Sequence, residues 1–96
     1  MNDLHKAAHD GSIERTLAVL SRGVIDIDQR DDRKGFTPLM FAAGCVYSQV
    51  IRVLLNKGAS LSVVDEDGLS ALHVAALQGH VAVTKLLVKG RPGKKM

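Results

Sequence analysis

The chain has 96 residues, enough for one domain with a modest core and no room for a second. Hydrophobic residues make up 46% of it but aromatics only 3%, so the core must be aliphatic and built from small side chains. The net charge is +3, and Arg91, Lys94 and Lys95 in the last six residues account for that excess, which argues against a body that binds nucleic acid.

The single cysteine, Cys45, excludes an internal disulfide and fits a reducing compartment. No apolar run approaches the ~20 residues of a membrane span, and Met1 to Lys6 lacks the apolar stretch of a secretory signal. The chain is expected in the cytoplasm, the nucleus or both.

In chain order, Asn2 reads as the cap of a first short helix carrying Leu4, Ala7 and Ala8 on one face. A second helix carries Leu17, Val19 and Leu20 and stops at Gly23. The stretch 24–34 is a loop. Thr37 then caps a helix with Pro38 at its first position, where a missing N–H costs nothing, and Leu39, Ala42 and Ala43 share a face. The next helix bears Val50, Val53 and Leu54 and is expected to end near Asn56 and Lys57, with Gly58 in the left-handed conformation. Ser70 caps a fifth helix with Leu72, Ala75 and Ala76 facing inward, and Val83, Leu86 and Leu87 form the stripe of a sixth.

These elements repeat. Gly35-Phe36-Thr37-Pro38-Leu39-Met40-Phe41-Ala42-Ala43 recurs 33 residues later as Gly68-Leu69-Ser70-Ala71-Leu72-His73-Val74-Ala75-Ala76. Ala7 and Ala8 precede Ala42 and Ala43 by 35 residues, so two extra residues lie in the stretch Val24 to Lys34, a loop that tolerates insertion. A period of this size marks a stack of helix pairs, each too small to bury a core alone.

On these residues the chain resembles the ankyrin repeat family. The middle unit matches that family's pattern at Asp32, Gly35, Thr37, Pro38, Leu39, Ala42, Ala43, Leu54, Leu55, Gly58 and Ala59. The third matches at Asp65, Gly68, Leu72, His73, Ala75, Ala76, Gly79, His80, Leu86 and Leu87. The resemblance implies an all-α solenoid of helix-turn-helix units joined by β-hairpin-like fingers. It covers Leu4 to Gly90, within a domain of residues 1–90 in units of about 1–31, 32–64 and 65–90, followed by a basic flexible tail over 91–96. Three departures stand out: Met40 replaces the usual histidine, Val46 and Tyr47 replace the Gly-His between the helices of the middle unit, and Val81, Val83, Leu86, Leu87 and Val88 leave the third unit without an obviously polar outer side.

No catalytic, cofactor or metal constellation is present in the sequence. His5, His73 and His80 are explained by their places in the repeat, where the family uses histidine to hydrogen-bond neighbouring units or brace a loop. His9 lies one helical turn after His5, but no third ligand accompanies the pair. Cys45 has no basic neighbour in sequence to activate it. The expected activity is therefore binding, with no enzyme chemistry and no cofactor.

By resemblance, partner proteins or peptides meet the finger tips and the concave face of the inner helices. Carried over by position, the candidate binding residues are Arg33, Lys34, Phe36 and Cys45 in the middle unit and Glu66, Asp67, Leu69, Leu77 and Gln78 in the third, with His9 and Asp10 beside them in the first. The tips differ in sign, Arg30, Arg33 and Lys34 against Asp65, Glu66 and Asp67. Phe36 and Leu69 are equivalent apolar positions flanked by charge, which suits interface anchors with a polar rim; packing between fingers fits Phe36 equally and Leu69 better. Two further readings are nucleic-acid binding by the basic tail, which lacks an aromatic platform, and self-association through the third unit.

Overall fold

The computed structural model of the chain describes residues 2–23 and 25–89; Gly90 and the basic tail over 91–96 lie outside them. Among the described residues there are six helices and no strand: α1 Asp3–Asp10, α2 Ile13–Ser21, α3 Pro38–Gly44, α4 Ser48–Asn56, α5 Ala71–Leu77 and α6 Val81–Lys89. They pair as α1–α2, α3–α4 and α5–α6. The first helices of the pairs pack side by side as an inner row, α1 on α3 and α3 on α5, while α2 packs on α4 behind them.

The caps are those the sequence specifies. Asn2, Thr37 and Ser70 each accept a hydrogen bond from the backbone N–H three residues on, and Pro38 occupies the first turn of α3. At α1 and α5 a histidine returns the favour. The Nδ1 of His5 accepts from the Asn2 backbone N–H, and that of His73 from Ser70, each at 3.1 Å. Met40 at the same place in α3 has no ring nitrogen and is instead fully buried core. Ser12, which the sequence reading did not single out, caps α2 by accepting from the Arg15 N–H.

The core is what the composition demands. Leu4, Leu39, Ile51, Leu54, Val50 and Val83 are fully buried around Ala8, Ala42, Ala43 and Ala75, whose single methyls let the inner helices approach closely. Truncating Leu39, Ile51 or Leu54 to alanine would cost about 2–5 kcal/mol, a large share of the stability of so small a domain.

Two expected stripes are corrected. In α2, Leu17 is 44% exposed and Thr16 takes the inner position at 0%, its hydroxyl donating to the Ser12 carbonyl at 2.7 Å. Thr16, Val19 and Leu20, at i, i+3 and i+4, are the residues of α2 that turn inward. In the third unit Ala76 is exposed and Leu72 only half-buried, because no described residue stacks on that side.

The two ends of the stack differ. On the α1–α2 end, Asp3 pairs with Arg22 at 3.1 Å and Asp10 with Arg15 at 3.3 Å, with Lys6 between them, a charged surface that water covers readily. On the α5–α6 end, Ala76, Leu77, Val81 and Val88 are exposed. Val88 is 67% exposed, where its equivalent in α4, Leu55, is at 2%.

The turn inside the middle unit carries backbone strain. Gly11 and Gly79 close the corresponding turns with φ of 71° and 76°, and Val46 adopts 64° in their place. A β-branched residue is poorly suited to that region. Tyr47 next to it lies over Gly11, where an added Cβ would meet the tyrosine ring at 2.6 Å. Val46→Gly is therefore expected to raise the unfolding free energy by about 1 kcal/mol, and Gly11→Ala to lower it by at least as much. Urea denaturation followed by helical circular dichroism would check both signs.

Candidate functional site: the fingers and the inner face

The loops between the pairs are short fingers, each fastened by one aspartate. In the second finger, the Asp65 carboxylate accepts from the Asp67 and Leu69 backbone N–H groups at 2.8 and 2.9 Å, and the Asp65 N–H donates to the Leu69 carbonyl. In the first finger the same work falls to Asp31. One of its oxygens accepts from the Lys34, Gly35 and Phe36 N–H groups at 3.2, 2.9 and 2.9 Å, and its own N–H donates to the Phe36 carbonyl at 2.8 Å.

The repeat period alone assigns this role to Asp32, and the hydrogen bonds correct it by one residue. The loop closes five residues on from Asp31 but four on from Asp65, so one of the two extra residues sits inside the finger and the other before it. Burial pushes the Asp31 carboxyl up, but the four backbone N–H groups of Phe36, Lys34, Arg33 and Gly35 outweigh it and hold its pKa below the ordinary carboxylate value.

The fingers are tied to each other and to the stack. The Glu66 N–H donates to the Lys34 carbonyl at 2.9 Å, and the Lys34 ammonium meets Asp67 at 2.9 Å. That hydrogen bond, together with the charges of Asp67, Asp65 and Glu66, raises the Lys34 pKa. Further along the loops, Asp28 accepts from the Ser60 N–H at 2.8 Å, and the Nε2 of His5 bonds the Gln29 carbonyl. His80 reaches back from the third unit to the Gly44 carbonyl at 3.2 Å, the bracing expected of it. His73, by contrast, bonds only within its own cap and is exposed.

The structure brings the proposed binding residues into four settings. Arg33, Glu66 and Asp67 are exposed on the tips, and Lys34 is exposed there while paired with Asp67. Phe36 is half-buried, packed against the core and edge-to-face with Phe41 at 5.3 Å. Leu69 is half-buried on the second finger. Cys45 and Gln78 are the C-caps of α3 and α5, the first partly covered and the second exposed.

Leu77 is 73% exposed, at the position held by His9 and Gly44 in the earlier units. The His9 ring rests on Phe41 of the next unit, and a side chain at Gly44 would touch Val74. Leu77 thus stands where the inner face meets the open end of the stack.

Between the first finger and the inner helices lies a cleft of about 400 Å³, lined by His9, Asp31, Arg33, Lys34, Phe36 and Phe41. Phe41 is its centre, with the rings of Phe36, His9 and His5 meeting it edge-on at 5.3, 5.7 and 5.6 Å. Sequence reasoning missed Phe41 and Asp31. Phe41 lies one step off the buried stripe of α3, and only the register of α1 against α3 turns it into a surface. Asp31 is not legible from spacing, since Asp32 stands the same three residues before Gly35 as Asp65 does before Gly68. Among the described residues no group of three or more histidine, cysteine or acidic side chains is placed to hold a metal ion, and no helix is long and apolar enough to cross a membrane.

Helix pairs capped by Thr-Pro and Ser-Ala, an alanine-lined inner row and aspartate-fastened fingers are the features of one family. The family model for ankyrin repeats in three copies matches residues 4–95. The chain belongs to the ankyrin repeat family.

It is 36% identical over 91 residues to ankyrin repeat protein nuc-2 of Neurospora crassa, covering 95% of this chain and 8% of that one. It is 37% identical over 92 residues to palmitoyltransferase AKR1 of Saccharomyces cerevisiae, covering 92% and 12%. Human NAD-capped RNA hydrolase NUDT12 is 28% identical over 95 residues, covering 99% and 20%. The chain thus spans a fifth or less of the length of these relatives. Among solved structures, one chain of the Bdellovibrio bacteriovorus complex of the predatory endopeptidase Bd0816 with the immunity protein Bd3460 superposes with a TM-score of 0.86 at 28% identity, covering 93% of this chain and 46% of that one. Ankyrin repeats are in general protein-interaction modules, and the two enzymes resemble this chain over only a small part of their length.

The Asp31 geometry makes a pH-dependent prediction. A carboxyl held below its unfolded pKa of 3.8 contributes stability that is present above that value and is lost as pH falls through the lower folded value. Asp31→Ala is expected to cost about 2 kcal/mol at neutral pH, since charge-assisted hydrogen bonds are lost. Asp31→Asn should cost less, because an amide oxygen can still accept. The gap between wild type and Asp31→Asn should close below pH 3.8 in denaturation curves taken across the acid range.

Proposed function

We propose that this chain is a non-catalytic protein-interaction module, acting in the cytoplasm or nucleus, that holds a partner protein or peptide against its finger tips and the inner face of α1, α3 and α5. The observation that carries this reading is the run of incompletely buried apolar side chains, Phe36, Phe41, Leu69 and Leu77, bordered by Arg33, Glu66 and Asp67. Apolar anchors inside a charged rim are the anatomy of a protein interface. The fingers and inner helices are fixed by internal hydrogen bonds, so binding needs little ordering of the backbone. The similar solved chain sits in a complex of two proteins, which accords with the same use.

Among the residues proposed from sequence, Leu69 and Leu77 are the clean probes. Phe36 also packs on Phe41 and the core, so Phe36→Ala should lower stability by about 1–2 kcal/mol as well as affinity. Leu69→Ala and Leu77→Ala are expected to leave the unfolding free energy within about 0.5 kcal/mol of wild type. The test is capture from cell extract on immobilised wild type, the Leu69→Ala/Leu77→Ala double variant, and Arg52→Ala on the exposed side of α4. A protein held by wild type and Arg52→Ala but lost by the double variant supports the inner-face site. Retention by all three removes it.

A second reading has its own observation. Among the described residues, the α5–α6 end exposes Ala76, Leu77, Val81 and Val88, with Ala76 and Val81 lining a shallow groove, whereas the opposite end is charged. Self-association through that end would show as a sedimentation mass that rises with concentration and returns to the monomer value in Val88→Glu.

A further inference from the structure

The cleft beside the first finger has a chemistry more specific than an interface in general. Its floor is aromatic, with Phe41 between the edges of Phe36 and His9. Neither phenyl ring is fully buried, so both keep surface for a visitor. Its volume, about 400 Å³, is near the small end of the range for ligand pockets and suits one large side chain rather than a folded surface.

The charges around it are unequally committed. The Asp31 carboxylate is turned onto the backbone N–H groups of the finger. Lys34 is held by Asp67 at 2.9 Å, and the His9 ring leans toward Asp10 at 3.6 Å. Arg30, behind the finger, donates to the Gly35 carbonyl at 3.2 Å. Among the described residues, the Arg33 guanidinium alone of the lining charges has no ion-pair or hydrogen-bond partner. A planar guanidinium at the mouth of an apolar cleft is suited to a carboxylate, which it can grip with two parallel N–H donors.

We infer that the cleft is the receptor for a linear peptide segment in which a large apolar side chain stands next to an aspartate or glutamate, the apolar group resting on Phe36 and Phe41 and the carboxylate on Arg33. The inference rests on the inner-face reading and names the chemistry of its partner. A lysine or arginine in place of the acid meets Arg33 and is rejected, so the one residue supplies affinity and discrimination.

The experiment is selection of a random linear peptide library on the whole chain and, in parallel, on Arg33→Glu. Arg33 is exposed on the tip, so its substitution leaves the fold intact. A selected peptide is then titrated into isotope-labelled protein to map backbone shift changes. Wild type should enrich large apolar residues adjacent to Asp or Glu, with shifts centred on Gly35, Phe36 and Phe41. Arg33→Ala should weaken the selected peptide about tenfold, and Arg33→Glu should enrich basic residues in place of the acid.

Selection without an acidic preference, binding indifferent to Arg33→Glu, or no selected peptide at all overturns the inference. Shifts gathered on Leu69, Glu66 and Gln78 overturn it while leaving the inner-face reading intact. Shifts on the outer helices α2 and α4 overturn both.

Discussion

Close approach of the three inner helices is the constraint on which the rest of the structure depends. No helix pair here has enough apolar surface to fold alone, so each must be covered by its neighbour at short range. Ala8, Ala42, Ala43 and Ala75, all fully buried, make that range short enough. Larger side chains then fill what the alanines leave, Leu4 and Leu39 between the inner helices and Ile51 and Leu54 behind them. With the inner row fixed at one spacing, the fingers stand at one spacing too. That is why Lys34 finds Asp67, and why the Glu66 N–H finds the Lys34 carbonyl.

The same constraint explains where the stack is weakest. A surface designed by position to be covered is exposed when nothing described stacks on it. His5 and Met40 are each 1% exposed, whereas His73 at the same position is exposed to solvent. At the charged end, Asp3–Arg22 and Asp10–Arg15 replace apolar contact with groups that water solvates, and such exposed pairs contribute little energy of their own.

The proposed binding role rests on what the stacking leaves over. The inner face keeps apolar side chains that the core cannot fully absorb, and the fingers keep charges that the hydrogen-bond network does not fully use. Phe41 illustrates the first: its helix neighbours Ala42 and Ala43 are fully buried, yet it lies on the boundary between core and solvent, with two histidines and a phenylalanine around its ring. Arg33 illustrates the second. Its neighbour Lys34 is drawn to the next finger, which leaves the guanidinium as the outward charge of the cleft.

The sequence by itself determined the family, the helix pairs, their caps at Asn2, Thr37 and Ser70, and most of the core, because these depend on local chemistry and a period that two well-matched units display directly. It also placed the extra residues of the first junction in the right loop. It could not say that Asp31 rather than Asp32 fastens the finger, since the 33-residue register is broken there and only hydrogen bonds reveal where. It put Leu17 on the buried stripe of α2 where Thr16 stands, and it did not separate the half-buried Phe36 from the open Leu77. Those outcomes depend on which neighbouring unit covers each side chain, and that is settled by the distance and register between helices that the linear order of residues does not contain.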